Sequence, residues 1–221
     1  MFLLRLSNVP QNAKTCIERL VQQVKLIVLN LFRSVGWISC VVYLTIPAFW
    51  LLIHPLAPFW RSRRRSPYRI LLPIWMGMWA LVAAITAPWR AVTLYENNWT
   101  WIPAAVLFCG GLVLYKLSHS EFSLTQLGGL PEVLPNHGHQ RLVITGIRAR
   151  VRHPVYLGHL FEMLAWSLGT GLAVCWVLTA FAVATGFVMI RLEEVELEKR
   201  FGEEYVAYRN RVPAVLPNFF P

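Results

Sequence analysis

Long uncharged runs constrain this chain more than any other feature: residues 35 to 53, 70 to 89, 99 to 115 and 163 to 190 contain no Lys, Arg, Asp or Glu. A helix rising ~1.5 Å per residue crosses roughly 30 Å of hydrocarbon in about 20 residues, so the first three runs each predict one span. The fourth is too long for one comfortable crossing, and Gly169-Thr170-Gly171 in its first third turns the chain back. This predicts a helical hairpin whose first arm starts near Val155. In hydrocarbon every backbone amide must be satisfied internally, which helices do segment by segment. The expected fold is therefore all-α, a polytopic integral membrane protein with about five transmembrane helices that include a C-terminal hairpin. His159 and Glu162 fall in the hairpin's first arm, where ionisable groups are expensive unless turned toward a cavity or a partner.

Composition agrees. With 56% apolar and 14% charged residues, the chain lacks the charged surface a soluble domain of this size needs. Its net charge of +10 does not point to nucleic acid, because the basic residues sit in short loops between apolar runs and face anionic headgroups instead. The lipid bilayer is thus the expected partner, and composition says nothing about oligomeric state. Cys16, Cys40, Cys109 and Cys175 are too scattered for a metal knuckle and read as packing residues. His137 and His139, in a Pro- and Gly-rich loop without Cys or Asp partners, read as solvated, so no metal site is expected. The first residues lack the order of a cleaved signal, which leaves insertion to the spans.

Three segments result. Residues 1 to 33 place Ile17, Leu20, Val21, Val24 and Val28 roughly on one helical face, an expected interfacial helix. Residues 34 to 117 hold three spans. Residues 118 to 221 hold a polar loop broken by Gly128-Gly129, Pro131 and Pro135, then the hairpin and a C-terminal helix. The positive-inside rule puts Arg61, Arg63, Arg64, Arg65 and Arg69, the polar loop and the tail on the cytoplasmic side. The basic N-terminal segment would then lie outside, against that rule, unless it rests in the interface or the span count differs by one.

The chemistry-bearing residues gather at the hairpin's two ends. Arg152-His153-Pro154-Val155-Tyr156-Leu157-Gly158 delivers a cation, an imidazole and a phenol to the bilayer edge, with Pro154 suited to a first helical turn. Gly158 permits a close approach. The other arm leaves the membrane at Arg191-Leu192-Glu193-Glu194, and six of the eleven acidic residues, all Glu, lie between Glu193 and Glu204. A hairpin returns the chain to the same face, so these segments meet as a mixed-charge pocket. The plainer reading gives the Arg residues to headgroups and pairs the Glu run with Lys199 and Arg200 along a solvated helix.

Over residues 139 to 217 the chain resembles the isoprenylcysteine carboxyl methyltransferase family, which is related to membrane phospholipid methyltransferases. The likeness rests on Leu142-Val143-Ile144-Thr145-Gly146, on Arg152-His153-Pro154-x-Tyr156-x-Gly158, and on the tail. In the tail, Glu193-Glu194-x-x-Leu197 precedes Phe201-Gly202-Glu203-Glu204-Tyr205-x-x-Tyr208 and Arg211-Val212-Pro213-x-x-Leu216-Pro217. The resemblance implies an S-adenosylmethionine site in which His153, Tyr156, Gly158, Glu193 and Glu194 hold the cofactor. It also implies that Arg152 and Arg191 orient a lipid-like or small hydrophobic acceptor, at a site facing the cytoplasm. Where many relatives carry Gly-Pro-Tyr-Arg, this chain has Gly146-Ile147-Arg148-Ala149, which bears on the acceptor more than on the cofactor.

Methyl transfer from a sulfonium asks the protein chiefly to align the partners and exclude water. A carboxylate acceptor is ionised at neutral pH and needs an Arg, not a base, which with the resemblance favours carboxyl O-methylation. A small thiol or a phospholipid amine stays open beside it. Membrane sterol reductases share an Arg-His-Pro-x-Tyr-x-Gly hairpin but use a nicotinamide and carry Arg-Asp in place of the Glu pair. A non-enzymatic scaffold would need no particular residue at Tyr156 or Glu194.

Overall fold

A computed structural model describes residues 11–63, 66–119 and 141–216. Arg64, Arg65, Gly128, Gly129, Pro131, Pro135, His137, His139 and Pro217, with the start of the expected interfacial helix, lie outside the described residues. The elements are α1 (Gln11–Ile53), α2 (Ala57–Arg61), α3 (Tyr68–Thr86), α4 (Trp101–His119), α5 (Pro154–Thr170), α6 (Ala173–Phe201) and α7 (Glu203–Arg211). The all-α membrane architecture is as expected: α1, α3, α4 and α6 are each long and apolar enough to cross a bilayer.

The span count differs by one from the expected five. Among the described residues there are four such helices by length and composition, and α5 has only 17 residues. Its Glu162 is 1% exposed, and the helix packs between α1, α4 and α6 instead of facing lipid along its length. α1 also joins what the sequence divides: one continuous helix of 43 residues runs through the expected interfacial segment and the first span.

The bundle has two faces. At the far face, Gly171 turns α5 into α6 with φ 66°, a left-handed conformation that favours glycine, as the Gly-Thr-Gly signal predicted. A side chain there would also strike the Tyr95 carbonyl, 2.4 Å from the Cβ position. The connection between α3 and α4 is stitched to this turn by Leu94 N–H to the Gly171 carbonyl (2.8 Å) and Ala173 N–H to the Val92 carbonyl (3.0 Å). Between the faces, Trp37, Cys40 and Val41 of α1 pack on Met163 of α5 and on Val174, Cys175 and Leu178 of α6. At the near face α1 ends where Phe49 and Ile53 bury Trp60 and Leu71. Pro154 starts α5 and Gly202, at φ 59°, ends α6, so the near ends of both hairpin arms are fixed by the residues the sequence singles out.

Candidate functional site

The segment entering α5 is held by the tail as well as by its own helix. Arg152 N–H donates to the Pro213 carbonyl and His153 N–H to the Ala214 carbonyl, both at 2.9 Å. Tyr208 of α7 donates its hydroxyl to the Arg148 carbonyl at 2.7 Å, and Arg148 Nη1 donates to the Arg152 carbonyl at 2.9 Å. The Phe201-to-Pro213 tail thus wraps the Arg-His-Pro corner.

Within that wrap Arg152 is buried and fully engaged. Its Nε donates to Glu194 Oε1 at 2.9 Å and its Nη2 to the same oxygen, while Nη1 donates to the carbonyls of Arg209 (2.9 Å) and Val212. His153 sits between the two carboxylates, Nε2 3.4 Å from Glu194 Oε1 and Nδ1 3.5 Å from Glu193 Oε2. Its ring stacks beside that of Tyr156, with centroids 5.7 Å apart. Five of the seven expected site residues therefore meet at one corner: Arg152, His153, Tyr156, Glu193 and Glu194.

The other two are placed differently. Gly158 is one turn deeper, and a Cβ on it would lie 2.6 Å from Tyr115 Cε1, so its lack of a side chain makes room for the Tyr115 ring of α4. Arg191 is exposed on the other side of α6, its Cζ 5.2 Å from the centre of the Phe187 ring. There it lines a separate cavity of about 500 Å³ with Phe187, Ile190 and Arg209, reached also by the backs of Arg152 and Glu194. The plainer reading of the Glu run is realised one turn on, where Glu196 accepts from Arg200 (2.6 Å) and from Arg61 (3.3 Å).

The main cavity, about 560 Å³, opens off the corner and has two ends of different chemistry. Arg148, His153, Tyr156, Glu193, Arg200, Tyr205 and Tyr208 make the polar end. Ile46, Phe49 and Trp50 of α1 with Leu72 and Trp75 of α3 make the apolar end, inside the membrane-crossing helices. Among the buried polar atoms at the polar end, the Tyr205 hydroxyl and Glu193 Oε2 make no hydrogen bond to the described residues, the latter having His153 Nδ1 at 3.5 Å. Burial pushes the Tyr205 phenol well above its ordinary range, reinforced by the charge of Glu194, so it stays a neutral donor and acceptor. Buried polar atoms are normally satisfied, and such orphans mark where a ligand's polar groups fit.

Sequence reasoning quoted Tyr205 and Tyr208 in the tail motif without giving them a role, and it did not reach the apolar wall. The tyrosines were visible as a pair three residues apart, one helical face of α7, next to the Gly202 that ends α6. The wall residues carry no motif, since Phe, Trp and Leu are ordinary in any span.

An all-α polytopic membrane protein whose polar cavity at one face runs into an apolar cleft is the class these observations define. No family model matches the chain. Protein-S-isoprenylcysteine O-methyltransferase B of Arabidopsis thaliana is 38% identical over 84 residues, covering 36% of this chain and 41% of that protein. The human protein-S-isoprenylcysteine O-methyltransferase is 38% identical over 81 residues, 34% of this chain and 27% of that protein. Its Xenopus laevis counterpart is 37% identical over 131 residues, 56% of this chain and 43% of that protein. The chain thus spans less than half the length of these curated relatives. The resemblance to the isoprenylcysteine carboxyl methyltransferase family, read first from three motifs, is borne out by these matches.

Proposed function

We propose that this protein is a membrane S-adenosylmethionine-dependent methyltransferase whose acceptor is lipid-like and presents a carboxylate, as the names of its relatives suggest. The observation that carries this reading is the continuity of one cavity from the Glu193 and Tyr205 orphans to the Phe49, Trp50 and Trp75 wall. A polar cofactor and an apolar chain have each a matching end.

The residues present fit that cofactor. Glu193 Oε2, which makes no hydrogen bond to the described residues beyond its 3.5 Å approach to His153 Nδ1, can accept from an ammonium or a ribose hydroxyl, and Tyr205 offers a hydroxyl that can give or take a hydrogen bond. When bound, S-adenosylmethionine supplies an electrophilic methyl group on a sulfonium. In this reading His153 and Tyr156 form the cofactor's aromatic wall, and Glu194 holds Arg152 and His153 in place. Gly158 keeps α5 close to α4. Arg141, Arg148 and Arg200 are the guanidinium groups that line the cavity, so a carboxylate acceptor meets these before the outward-facing Arg191. The acceptor needs no base, because a carboxylate is ionised at neutral pH. The hydrocarbon walls exclude water from the reacting atoms. The site faces the cytoplasm, on the strength of the basic near-face loops.

Calorimetric titration of the protein in lipid nanodiscs with S-adenosylmethionine and, separately, NADPH tests this. Saturable binding of the former alone, weakened roughly ten- to hundredfold in Glu193→Gln by loss of one hydrogen bond to a charged group, is expected. Binding of NADPH alone would move the protein to the reductases, and binding of neither would leave a scaffold. Transfer of labelled methyl to a farnesylated cysteine, but not to its carboxamide, checks the acceptor.

A further inference from the structure

A stripe of polar groups runs down α5 into the bundle. His153, Tyr156, His159 and Glu162 follow one another at intervals of three residues and so share one side of the helix. The ring centroids of His153 and Tyr156 are 5.7 Å apart and those of Tyr156 and His159 6.1 Å apart. Tyr115 of α4 and Tyr43 of α1 then meet His159 edge-on, at 5.5 and 5.2 Å. The upper two members of the stripe belong to the Arg-His-Pro corner. The lower two take no part in it, although His159 and Tyr115 line the same cavity as His153 and Tyr156.

Polar groups at this depth are costly unless they are paired. Glu162 is 1% exposed, and its Oε1 makes no hydrogen bond among the described residues. α4 makes room for it at Gly111, where a Cβ would lie 2.7 Å from that oxygen. One turn further along α4, the Tyr115 hydroxyl is buried too. It meets no partner in hydrogen-bonding geometry among the described residues, the neighbouring Tyr43 phenol included. His159 donates from Nδ1 to the Val155 carbonyl at 2.7 Å, which leaves Nε2 of the neutral ring an acceptor.

The cavity thus presents a donor at Tyr115 and an acceptor at His159 between apolar walls. A ligand carbonyl would satisfy the first and strand the second, and an ammonium would do the reverse. A hydroxyl gives one hydrogen bond and takes another, and so satisfies both. We propose that Tyr115 and His159, with Glu162 one turn deeper, form a second polar subsite that takes a hydroxyl carried on the chain of a lipid-like acceptor. This rests on the reading that the acceptor's chain enters the cavity, and it narrows that acceptor from a plain hydrocarbon to a hydroxylated one. His159 lies roughly 9 Å along the helix from His153. A carboxylate level with His153 therefore puts the hydroxyl at roughly the eighth to tenth carbon of an extended chain.

Binding of radiolabelled fatty acids to the full chain in lipid nanodiscs, corrected with empty nanodiscs, tests the subsite without methyl transfer. Stearate with a hydroxyl on its ninth or tenth carbon should bind roughly tenfold more tightly than stearate, from two buried hydrogen bonds. A hydroxyl on the second carbon should bring no gain, and a mid-chain ketone, which cannot donate to His159, should gain less than the alcohol. In Tyr115→Phe with His159→Phe the preference for the mid-chain alcohol should fall to about twofold or less, with helix content and thermal unfolding checking that the variant folds. Where it does not fold, the positional series in the wild type decides. Equal binding of stearate and the mid-chain alcohol, an equal gain at every position, or a preference that survives in the folded double variant would overturn the subsite. Saturable binding without transfer of labelled methyl to the carboxylate would overturn the methyltransferase reading alone, and absence of saturable binding by any of these lipids would overturn both.

Discussion

Replacing Arg152 with Met separates a structural from a substrate-orienting role for the cation at the centre of the site. Its side chain and that of Glu194 are 9% and 8% exposed, so the pair is buried and its loss is not softened by water. Removing one member of a buried ion pair costs about 3–5 kcal/mol, because the remaining charge stays desolvated. The carbonyls of Arg209 and Val212 also lose their donor, at roughly 1 kcal/mol each where water cannot replace it. His153, 3.4 Å from the same Glu194 oxygen, recovers part of this. The balance is a destabilisation of ~3 kcal/mol, concentrated where the tail wraps the Arg-His-Pro corner.

Opening of that wrap should therefore become roughly a hundredfold more frequent, since each 1.4 kcal/mol is about a factor of ten. Hydrogen exchange followed by mass spectrometry in nanodiscs reads it directly, at the amides of Arg152 and His153 that donate to Pro213 and Ala214. Pairing Arg152→Met with Glu194→Leu removes the orphaned charge as well, and should restore most of the protection with a coupling of ~2–3 kcal/mol. Exchange within threefold of wild type in Arg152→Met would refute the reasoning. So would a double variant no better protected than the single. A purely substrate-orienting Arg152 predicts that pattern, with turnover lost and the wrap intact.

Two further outcomes follow from the cavity walls. Gly158→Ala places a methyl group 2.6 Å from the Tyr115 ring, which must shift, and should lower stability by about 1–3 kcal/mol in thermal unfolding. Relief of that loss by Tyr115→Leu would show the glycine to be a packing residue, and no relief would return it to the cofactor. Trp75→Ala, at the apolar end, should raise the KM for a prenylated acceptor by tenfold or more while S-adenosylmethionine affinity in calorimetry stays unchanged. A fall in cofactor affinity instead would mean that the two ends of the cavity are assigned the wrong way round.

How far the sequence carries depends on whether a feature is local or made by distant segments. The three spans before the polar loop, the Gly171 turn and the start of α5 at Pro154 follow from hydrophobic length and from residues whose backbone preferences act on their own neighbours, and all are found close to where expected. The meeting of Arg152 and His153 with Glu193 and Glu194 follows from the hairpin, because a chain that turns once must bring its ends to one face. Which side of α6 each residue occupies does not follow. Arg191 and Glu194 are three residues apart and should share a face, yet only Glu194 turns inward, because Arg152 reaches it from the segment before α5 while Phe187 packs on Arg191 outside. The same limit hides the apolar wall, since Trp50 and Trp75 belong to one cleft only after α1 and α3 are packed side by side. It also explains the division of α1 at residue 33. A change from amphipathic to wholly apolar character marks where the surroundings change, and a helix can pass through that boundary without a break.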